Sequence, residues 1–296
     1  MSLAGLRVLV TRPADRAADL VRAIELAGGS AAHIPMLAVQ PLDAQRDAPQ
    51  WQHTDACFER LASYRRIIAI SVNAVHYGLT WIEGLAWIER RAPENTAHAA
   101  ASTWYGIGAA TVAELAKWRI AARGGSAGAT SEELLALPDL QNVRGETILI
   151  LRGVGGRETL AGVLRERGAA VDYAECYRRT APLLNEEQRR LLFAANFDAV
   201  SVNSAETLQN LAEQLSLVER LVLAERRSLA GQQAAAVSTL ERYRAMPLLV
   251  PSARVAERAE ALGFRYPAVA ANAGTAATLS ALQEIAKRKL SQREDQ

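Results

Sequence analysis

The sequence contains few of the residues that form disulfide frameworks and metal sites. Its 296 residues include two cysteines, Cys57 and Cys176, and neither belongs to a Cys-x-x-Cys pair. This spacing argues against a disulfide scaffold and against a zinc or iron–sulfur site built from thiolates. The four histidines are scattered and show no His-Glu-x-x-His spacing. We therefore expect a reduced protein that holds no metal.

Long apolar runs and a surplus of one charge are also missing. No segment reaches the ~20 apolar residues of a membrane-spanning helix, and the apolar run near the N-terminus is too short for a secretory signal. The 34 lysines and arginines nearly balance the 32 aspartates and glutamates, which gives a formal net charge of +2. A general nucleic-acid binder normally carries a strong basic excess. These features predict a soluble, cytoplasmic protein that binds neither nucleic acid nor membrane.

The composition that remains is that of an ordinary globular protein, with 50% hydrophobic and 22% charged residues. At roughly 100–200 residues per domain, the length predicts two domains. Apolar strand-like runs alternate with helical segments, a pattern typical of α/β proteins with doubly wound parallel sheets. The predicted strands are 7–10, 31–36, 66–70, 103–107, 147–151, 171–176, 199–202, 248–250 and 266–270.

An internal repeat gives the domain organisation. Residues 7–36 align with residues 147–176 at a constant offset of 140, so that Arg12 falls on Arg152. Both copies are typical of a strand–arginine–helix–glycine–strand unit. Looser similarities relate 68–79 to 199–211 and 103–115 to 248–259.

The order of these copies predicts that one domain is inserted into another. Pro35, Gln40 and Pro41 are typical of an extended crossing, and so is the stretch 178–182. Two crossings fit a discontinuous outer domain of residues 1–37 and 181–296 and an inserted domain of residues 38–180. A simple division of the chain near residue 145 fits the same repeat and stays open.

Two glycine-rich turns between a strand and a helix are candidate anion sites. Residues 106–111 nearly match a dinucleotide fingerprint, but a threonine replaces its third glycine. Residues 152–158 lack the Gly-Lys-Ser/Thr of a P-loop. Backbone N–H groups at helix N-termini bind anions and arginines bind carboxylates, although a plain connecting loop explains the second turn equally well. The candidate ligand-binding residues are Gly108, Thr111, Arg152, Gly153 and Arg157.

Polar residues also follow other apolar strands. As helix N-caps they need no further function, but as pocket rims they donate to carboxylates. Ligands of open α/β sheets bind beyond the carboxyl ends of the strands. No Gly-x-Ser-x-Gly nucleophile elbow is present and no paired carboxylates stand out at the strand ends, so the predicted chemistry needs no cofactor. The candidates at these strand ends are Arg12, Ser71, Asn73 and Ser204.

Taken in order, these pieces resemble the uroporphyrinogen-III synthase family. They are LRVLVTRP at the start, then ISVNAV, GIGAAT, TSEELL, ILRGVGGRETLAGVLRERGAAVDYAECYRR and SARVAERAEALGF. The set runs in order over nearly the whole chain, and residues 149–179 are its most specific part. The resemblance implies two flavodoxin-like domains joined by a two-stranded linker, with a discontinuous outer domain.

The resemblance also implies an activity. The family converts hydroxymethylbilane, a linear tetrapyrrole with eight carboxylates, into uroporphyrinogen III on the route to haem. Water is lost and ring D is inverted through a spirocyclic pyrrolenine, without cofactor or metal. Free substrate closes without inversion to the I isomer, so the task of the enzyme is chiefly steering.

Site residues follow from the same resemblance. Tyr177 occupies the position of the family's catalytic tyrosine, although a tyrosine that only packs at a domain joint stays possible. The family threonine of the outer domain is absent, because residues 252–256 read Ser-Ala-Arg-Val-Ala. Ser252 or Arg254 are the substitute donors, whereas the matching inner turn keeps Thr111.

A second interpretation stays open at this point. A catalytically idle two-domain module that binds an anionic tetrapyrrole-like ligand fits the same arginines and glycine-rich turns. For the enzyme, we expect a monomer with a small-molecule substrate, which hydroxymethylbilane synthase hands over directly or releases first.

Overall fold

The computed structural model describes residues 2–88, 102–124, 130–156, 158–194, 196–228 and 238–294. The chain divides into two compact units. The first unit combines Met1–Ala38 with Thr180–Gln296, and the second unit is Val39–Arg179.

Strands alternate with helices along most of the described residues. The strands are β1 (Arg7–Val10), β2 (Ser30–His33), β3 (Ala38–Pro41), β4 (Arg66–Ala69), β5 (Thr103–Gly106), β6 (Ala122–Gly124), β7 (Thr147–Gly153), β8 (Ala170–Thr180), β9 (Ala199–Ser201), β10 (Pro247–Val250) and β11 (Tyr266–Val269). The helices are α1 (Ala18–Leu26), α2 (Ala48–Glu59), α3 (Val72–Ile88), α4 (Ala109–Lys117), α5 (Ser131–Leu135), α6 (Thr159–Glu166), α7 (Glu186–Ala194), α8 (Ala205–Ser228), α9 (Thr239–Arg244), α10 (Ala253–Ala261) and α11 (Thr275–Glu294).

A parallel sheet forms the centre of the first unit, in the order β11-β10-β9-β1-β2. Counted along the unit's own chain this is 2-1-3-4-5, the flavodoxin-like order. Successive side chains of a strand point to opposite faces, so Leu9 joins the core on one face while Val8 and Val10 join the core on the other. Both faces are buried, which explains why the strands are apolar almost throughout.

The second unit contains a sheet in the order β3-β8-β7-β4-β5-β6. The pairs from β8 to β6 are all parallel. If β7 and β8 are counted as the first two strands, the order from β8 to β6 is again 2-1-3-4-5. The second unit is therefore a circularly permuted version of the first. Its strands also serve two faces, since Trp104 and its neighbour Tyr105 lie in different core clusters.

The internal repeat of the sequence matches this equivalence of the two sheets. The unit β1-α1-β2 corresponds to β7-α6-β8, β4-α3 corresponds to β9-α8, and β5-α4 corresponds to β10-α10. The predicted fold class, two doubly wound parallel sheets in an α/β protein, is confirmed.

Three differences between the structure and the sequence-based expectation concern β6, β8 and the C-terminal helix. β6 was not predicted, because its sequence Ala-Arg-Gly contains none of the β-branched or aromatic residues typical of strands. β8 continues beyond its predicted end at residue 176 and reaches Thr180. The charged stretch from residue 287, whose composition is typical of a solvated tail, is helical through Glu294. It is held because Ala286 is buried and Lys289 forms an ion pair with Asp198.

Both cysteines are buried free thiols. Burial raises the pKa of the Cys176 thiol.

In the part of the chain that the structure describes, no helix has both the length and the hydropathy to cross a bilayer. Among the same residues, no three His, Cys, Asp or Glu side chains gather closely enough to hold a metal ion.

Candidate active site

The carboxyl ends of the parallel strands bring most predicted site residues of the second unit to one sheet edge. β8, β7, β4 and β5 run in the same direction, so the residues that end or follow them share this edge. Arg157 lies outside the described residues. The predicted residues at this edge are Ser71, Asn73, Gly108, Thr111, Arg152, Gly153 and Tyr177.

A bulge in β8 sets the direction of the Tyr177 side chain. Glu175 stands opposite Arg152, but Tyr177 stands opposite the next residue, Gly153, so that Cys176 is the extra residue. A bulge of this kind turns the side chains that follow it toward a new direction. The Tyr177 side chain ends up buried at the strand ends, with 2% of the residue exposed.

The Tyr177 hydroxyl lies 3.1 Å from Ser71 Oγ. Ser71 Oγ also accepts a hydrogen bond from the backbone N–H of Ala74 at 3.1 Å and thereby caps α3. A serine hydroxyl has one proton to donate. When Ser71 donates it to the phenolic oxygen, the O–H of Tyr177 is free to donate to a ligand. The arrangement of Ser71 and Tyr177 is therefore compatible with Tyr177 acting as a proton donor.

Gly153 provides the space that the Tyr177 ring occupies. A Cβ added to Gly153 would lie 2.6 Å from Cε2 and 2.8 Å from Cζ of Tyr177, which is closer than real Cβ contacts. Any side chain at this position would push the ring away. The sequence predicts a ligand contact for Gly153 but does not predict its contact with Tyr177, because that contact depends on the register between β7 and β8.

Arg152 organises the turn that follows β7. Its guanidinium is buried, donates to the carbonyl oxygens of Gly153 (3.2 Å) and Gly155, and pairs with Glu158 Oε1 at 3.0 Å. It also stacks 4.4 Å from the ring centroid of Tyr173. Hydrogen bonds from Tyr173 and Arg152 lower the pKa of Glu158. Glu158 is not among the site residues predicted from the sequence, although it ends the glycine-rich stretch.

The glycine-rich turn after β5 is stabilised by a positive-φ glycine and by a hydrogen bond within the turn. Gly108 precedes α4 with a φ of +80°, a conformation that glycine adopts without strain. Thr111 is buried, and its hydroxyl donates to the carbonyl oxygen of Ile107 at 2.7 Å. Asn73 is half-buried in the first turn of α3.

The other predicted residues lie at the corresponding edge of the first unit. Ser204 Oγ accepts a hydrogen bond from the backbone N–H of Thr207 at 3.1 Å and caps α8, as Ser71 caps α3. The repeat therefore places equivalent serines in both units. Arg12, which follows β1, and Ser252 and Arg254, which begin α10, share this edge.

Arg12 joins the end of β1 to the start of α11. Its guanidinium, in a residue 6% exposed, donates to the carbonyl oxygen of Ala273 (2.8 Å) and to the hydroxyls of Thr278 (2.9 Å) and Thr275 (3.1 Å). Burial lowers its pKa. These partners are distant in the sequence, so no local pattern could reveal them.

Arg254 lies on the surface of its unit, whereas Arg12 and Arg152 are buried. It is exposed in the first turn of α10 and has neither an ion pair nor a hydrogen bond with any described residue. A cation at a helix N-terminus opposes the helix dipole. The neighbouring Ser252 is also exposed, and its hydroxyl does not cap the helix. These two residues therefore offer uncommitted donors.

A sequence model of the family described as HEM4, uroporphyrinogen-III synthase HemD, matches residues 18–280. The chain belongs to the uroporphyrinogen-III synthase family. The match confirms the predicted family and its activity class, a lyase of tetrapyrrole biosynthesis.

Curated relatives agree with the assignment to the uroporphyrinogen-III synthase family. The uroporphyrinogen-III synthase of Escherichia coli (strain K12) is 31% identical over 280 residues, which are 93% of this chain and 99% of the relative. That of Proteus mirabilis is 33% identical over 173 residues, 58% of this chain and 79% of the relative. Neither is named as a binding or regulatory module.

Two solved structures share the fold of this uroporphyrinogen-III synthase family member. A mutant uroporphyrinogen III synthase from the extremely thermophilic bacterium Thermus thermophilus matches with a TM-score of 0.53 at 19% identity and covers 97% of this chain and 100% of its own. A uroporphyrinogen-III synthetase from Helicobacter pylori 26695 also has a TM-score of 0.53, at 10% identity, over 95% of this chain and 99% of its own. At these identities the likeness concerns the fold.

Proposed function

We propose that this chain closes hydroxymethylbilane to uroporphyrinogen III, with inversion of ring D and loss of water, and that Tyr177 is the acid. The contact between Tyr177 Oη and Ser71 Oγ at 3.1 Å supports this role. With Ser71 as the donor, this contact leaves the phenolic proton of Tyr177 to be donated at the sheet edge where ligands of such folds bind.

The proposed reaction begins at the hydroxymethyl group of the substrate. Tyr177 donates its proton to the departing oxygen, the C–O bond breaks, and water leaves. The lone pair of the adjacent pyrrole nitrogen replaces the electrons lost by the carbon. That carbon is then attacked by the substituted carbon of ring D to form the spirocyclic pyrrolenine. The bond from this ring D carbon to its methylene bridge with ring C breaks, and the pyrrole nitrogen of ring C supplies electrons to the freed methylene carbon. The unsubstituted α-carbon of ring D then attacks that methylene carbon, which closes the macrocycle with ring D inverted. The ring D carbon that closes the macrocycle loses a proton, and this proton restores Tyr177.

The substrate carboxylates need donors that are not already engaged. We assign this role first to Ser252 and Arg254, since both are exposed and neither bonds its own helix. The first N–H groups of α10 have no intrahelical partner and add further donors. A field that is cationic only locally is compatible with the formal net charge of +2.

The buried arginines have a supporting role in this proposal. Arg152 donates to groups of its own turn, and Arg12 donates to residues 273–278 at the start of α11, so both stabilise the loops that follow the strands. Gly108, Thr111, Asn73, Arg157 and Ser204 remain proposed contacts of the substrate. Action as a monomer, a cytoplasmic location and direct transfer from hydroxymethylbilane synthase stay predictions.

A product assay tests the function. Hydroxymethylbilane is generated in situ from porphobilinogen by the preceding deaminase, this protein is added, and the oxidised isomers are separated by chromatography. We expect predominantly the III isomer, because the uncatalysed closure gives the I isomer. Only the I isomer from a folded sample would contradict the proposal and favour the idle binding module.

Replacing Arg254 should weaken substrate binding. We expect Arg254→Gln to raise KM about tenfold, with kcat within about twofold, because a charge-assisted contact to a carboxylate is lost. Arg258→Gln is the matched control, since Arg258 lies one turn later on the same helix and donates to Gln209 Oε1 at 3.0 Å. Equal KM values for the two variants would remove Arg254 from the binding site.

A further inference from the structure

The segment 42–54 holds β8 on both sides of Tyr177. The fully buried side chain of Thr54 donates from Oγ1 to the carbonyl oxygen of Glu175 at 3.0 Å. The backbone N–H of Leu42 donates to the carbonyl oxygen of Cys176 at 3.4 Å. Asp47 Oδ1 forms an ion pair with Arg178 Nη2 at 2.6 Å. The three contacts therefore fall on the residues that flank Tyr177.

These contacts coincide with the bulge. A bulge disrupts the ladder locally and leaves backbone groups of the longer strand without a ladder partner. In β8 the carbonyl oxygens of Glu175 and Cys176 find their donors in Thr54 and Leu42 instead. A buried carbonyl that loses its donor is destabilised, so removing the Thr54 hydroxyl favours a different local path of the strand.

Asp47 adds an electrostatic contact between the segment 42–54 and β8. Its side chain is fully buried, yet it does not cap the helix that it precedes, α2. Its Oδ2 accepts from the backbone N–H of Asp43 at 2.9 Å and from the Arg46 guanidinium. Its Oδ1 faces Arg178, the residue after Tyr177. The carboxylate thus ties the strand to the start of α2.

We propose that Thr54 and Asp47 are positioning residues that keep the bulge in the form that places Tyr177 Oη beside Ser71. Both act through the strand, since the bonds of Thr54 and Asp47 go to its residues 175 and 178 rather than to the Tyr177 hydroxyl. The proposal rests on the proposed role of Tyr177 as the acid. A displacement of about 1 Å at a catalytic group can lower a rate by up to about 100-fold, which makes the effect measurable.

The test is a pair of substitutions at Thr54. Thr54→Val keeps the shape and removes the hydroxyl, whereas Thr54→Ser keeps the hydroxyl and removes a methyl group. We expect Thr54→Val to lower kcat about tenfold with KM within about twofold, and Thr54→Ser to stay within about twofold of the parent in both. A larger loss with serine than with valine would show a packing role and overturn the proposal.

Two further measurements distinguish a positioning role of Thr54 from a general effect on the stability of the protein. With tyrosine labelled by 13C at Cζ, the Tyr177 signal among the 7 tyrosines is identified by its loss in Tyr177→Phe. It should shift in Thr54→Val and not in Thr54→Ser. In the Tyr177→Phe background, Thr54→Val should cause no further loss of kcat, because it acts through the missing hydroxyl. A further loss of kcat in the double variant, or an unchanged Tyr177 chemical shift in Thr54→Val, would overturn the proposal.

The measurements distinguish an error in the proposed role of Thr54 and Asp47 from an error in the proposed role of Tyr177 as the acid. If Tyr177→Phe keeps full activity, Tyr177 is not the acid, and the 13C signal alone then decides whether Thr54 positions its ring. If Thr54→Val does not fold, Asp47→Asn undergoes the same measurements. A shifted Tyr177 signal and a loss of kcat that disappears in the Tyr177→Phe background would support the proposal, and the absence of either would overturn it.

Discussion

Tyr177→Phe should lower kcat for formation of the III isomer by about 100-fold, the lower end of what general acid catalysis contributes. The phenylalanine ring fills the same space beside Gly153 but has no proton for the departing hydroxyl. KM should change less than about threefold, because the lost interaction develops only as the C–O bond breaks. Steady-state kinetics with isomer separation measure both values.

Tyr77→Phe is the matched control for this experiment. The Tyr77 ring centroid lies 5.7 Å from that of Tyr177, and its hydroxyl donates to the carbonyl oxygen of Val39 at 3.1 Å. This variant also loses one tyrosine hydroxyl in the same region, so its kcat should stay within about threefold of the parent. Similar losses in the two variants would indicate a packing effect rather than acid catalysis.

Gly153→Ala should lower kcat about 100-fold as well, without touching any proton donor. A methyl group at this position overlaps the Tyr177 ring, with 2.6 Å to Cε2, so the ring must leave the place beside Ser71. Misplacing a catalytic group by about 1 Å is enough for such a loss. The expected crystal structure shows the Tyr177 hydroxyl beyond hydrogen-bond distance from Ser71 Oγ.

Gly162→Ala provides the comparison with the same chemical change. Gly162 lies in α6, and nothing lies within 4 Å of a Cβ added there. Alanine in a helix interior is more favourable than glycine by about 0.5–1 kcal/mol, so this variant should unfold at a slightly higher denaturant concentration and keep full activity. Gly153→Ala with normal kcat and an unmoved tyrosine would refute the assigned role of Gly153.

Local patterns made much of this fold predictable. The alternation of strands and helices, the repeat and the polar strand ends each depend on residues close in sequence. The capping box at Thr130 is one example, since its hydroxyl accepts from the backbone N–H of Glu133 at 3.2 Å. The N-caps at Ser71 and Ser204 are others. Such features need no knowledge of the tertiary structure.

The details of the candidate site were not predictable in this way. The bulge at Cys176 depends on the register between β7 and β8, and that register determines which residue faces Gly153. The contacts of Arg12 with residues 273–278 and of Thr54 with Glu175 join distant parts of the chain. A single sequence shows that arginines and threonines are present, but not which partners they have.

The strand orders carry a consequence for how the two halves of the chain depend on each other. Along the sequence, residues 7–124 and 147–269 each contain the strands of one complete repeat, β1, β2, β4, β5 and β6 in one and β7 to β11 in the other. In space, β1 and β2 pair with β9 to β11, while β7 and β8 pair with β4 to β6. The repeats have exchanged their first two strands, as in a domain swap within one molecule. Separately expressed halves would each lack part of both sheets and could rebuild them only together.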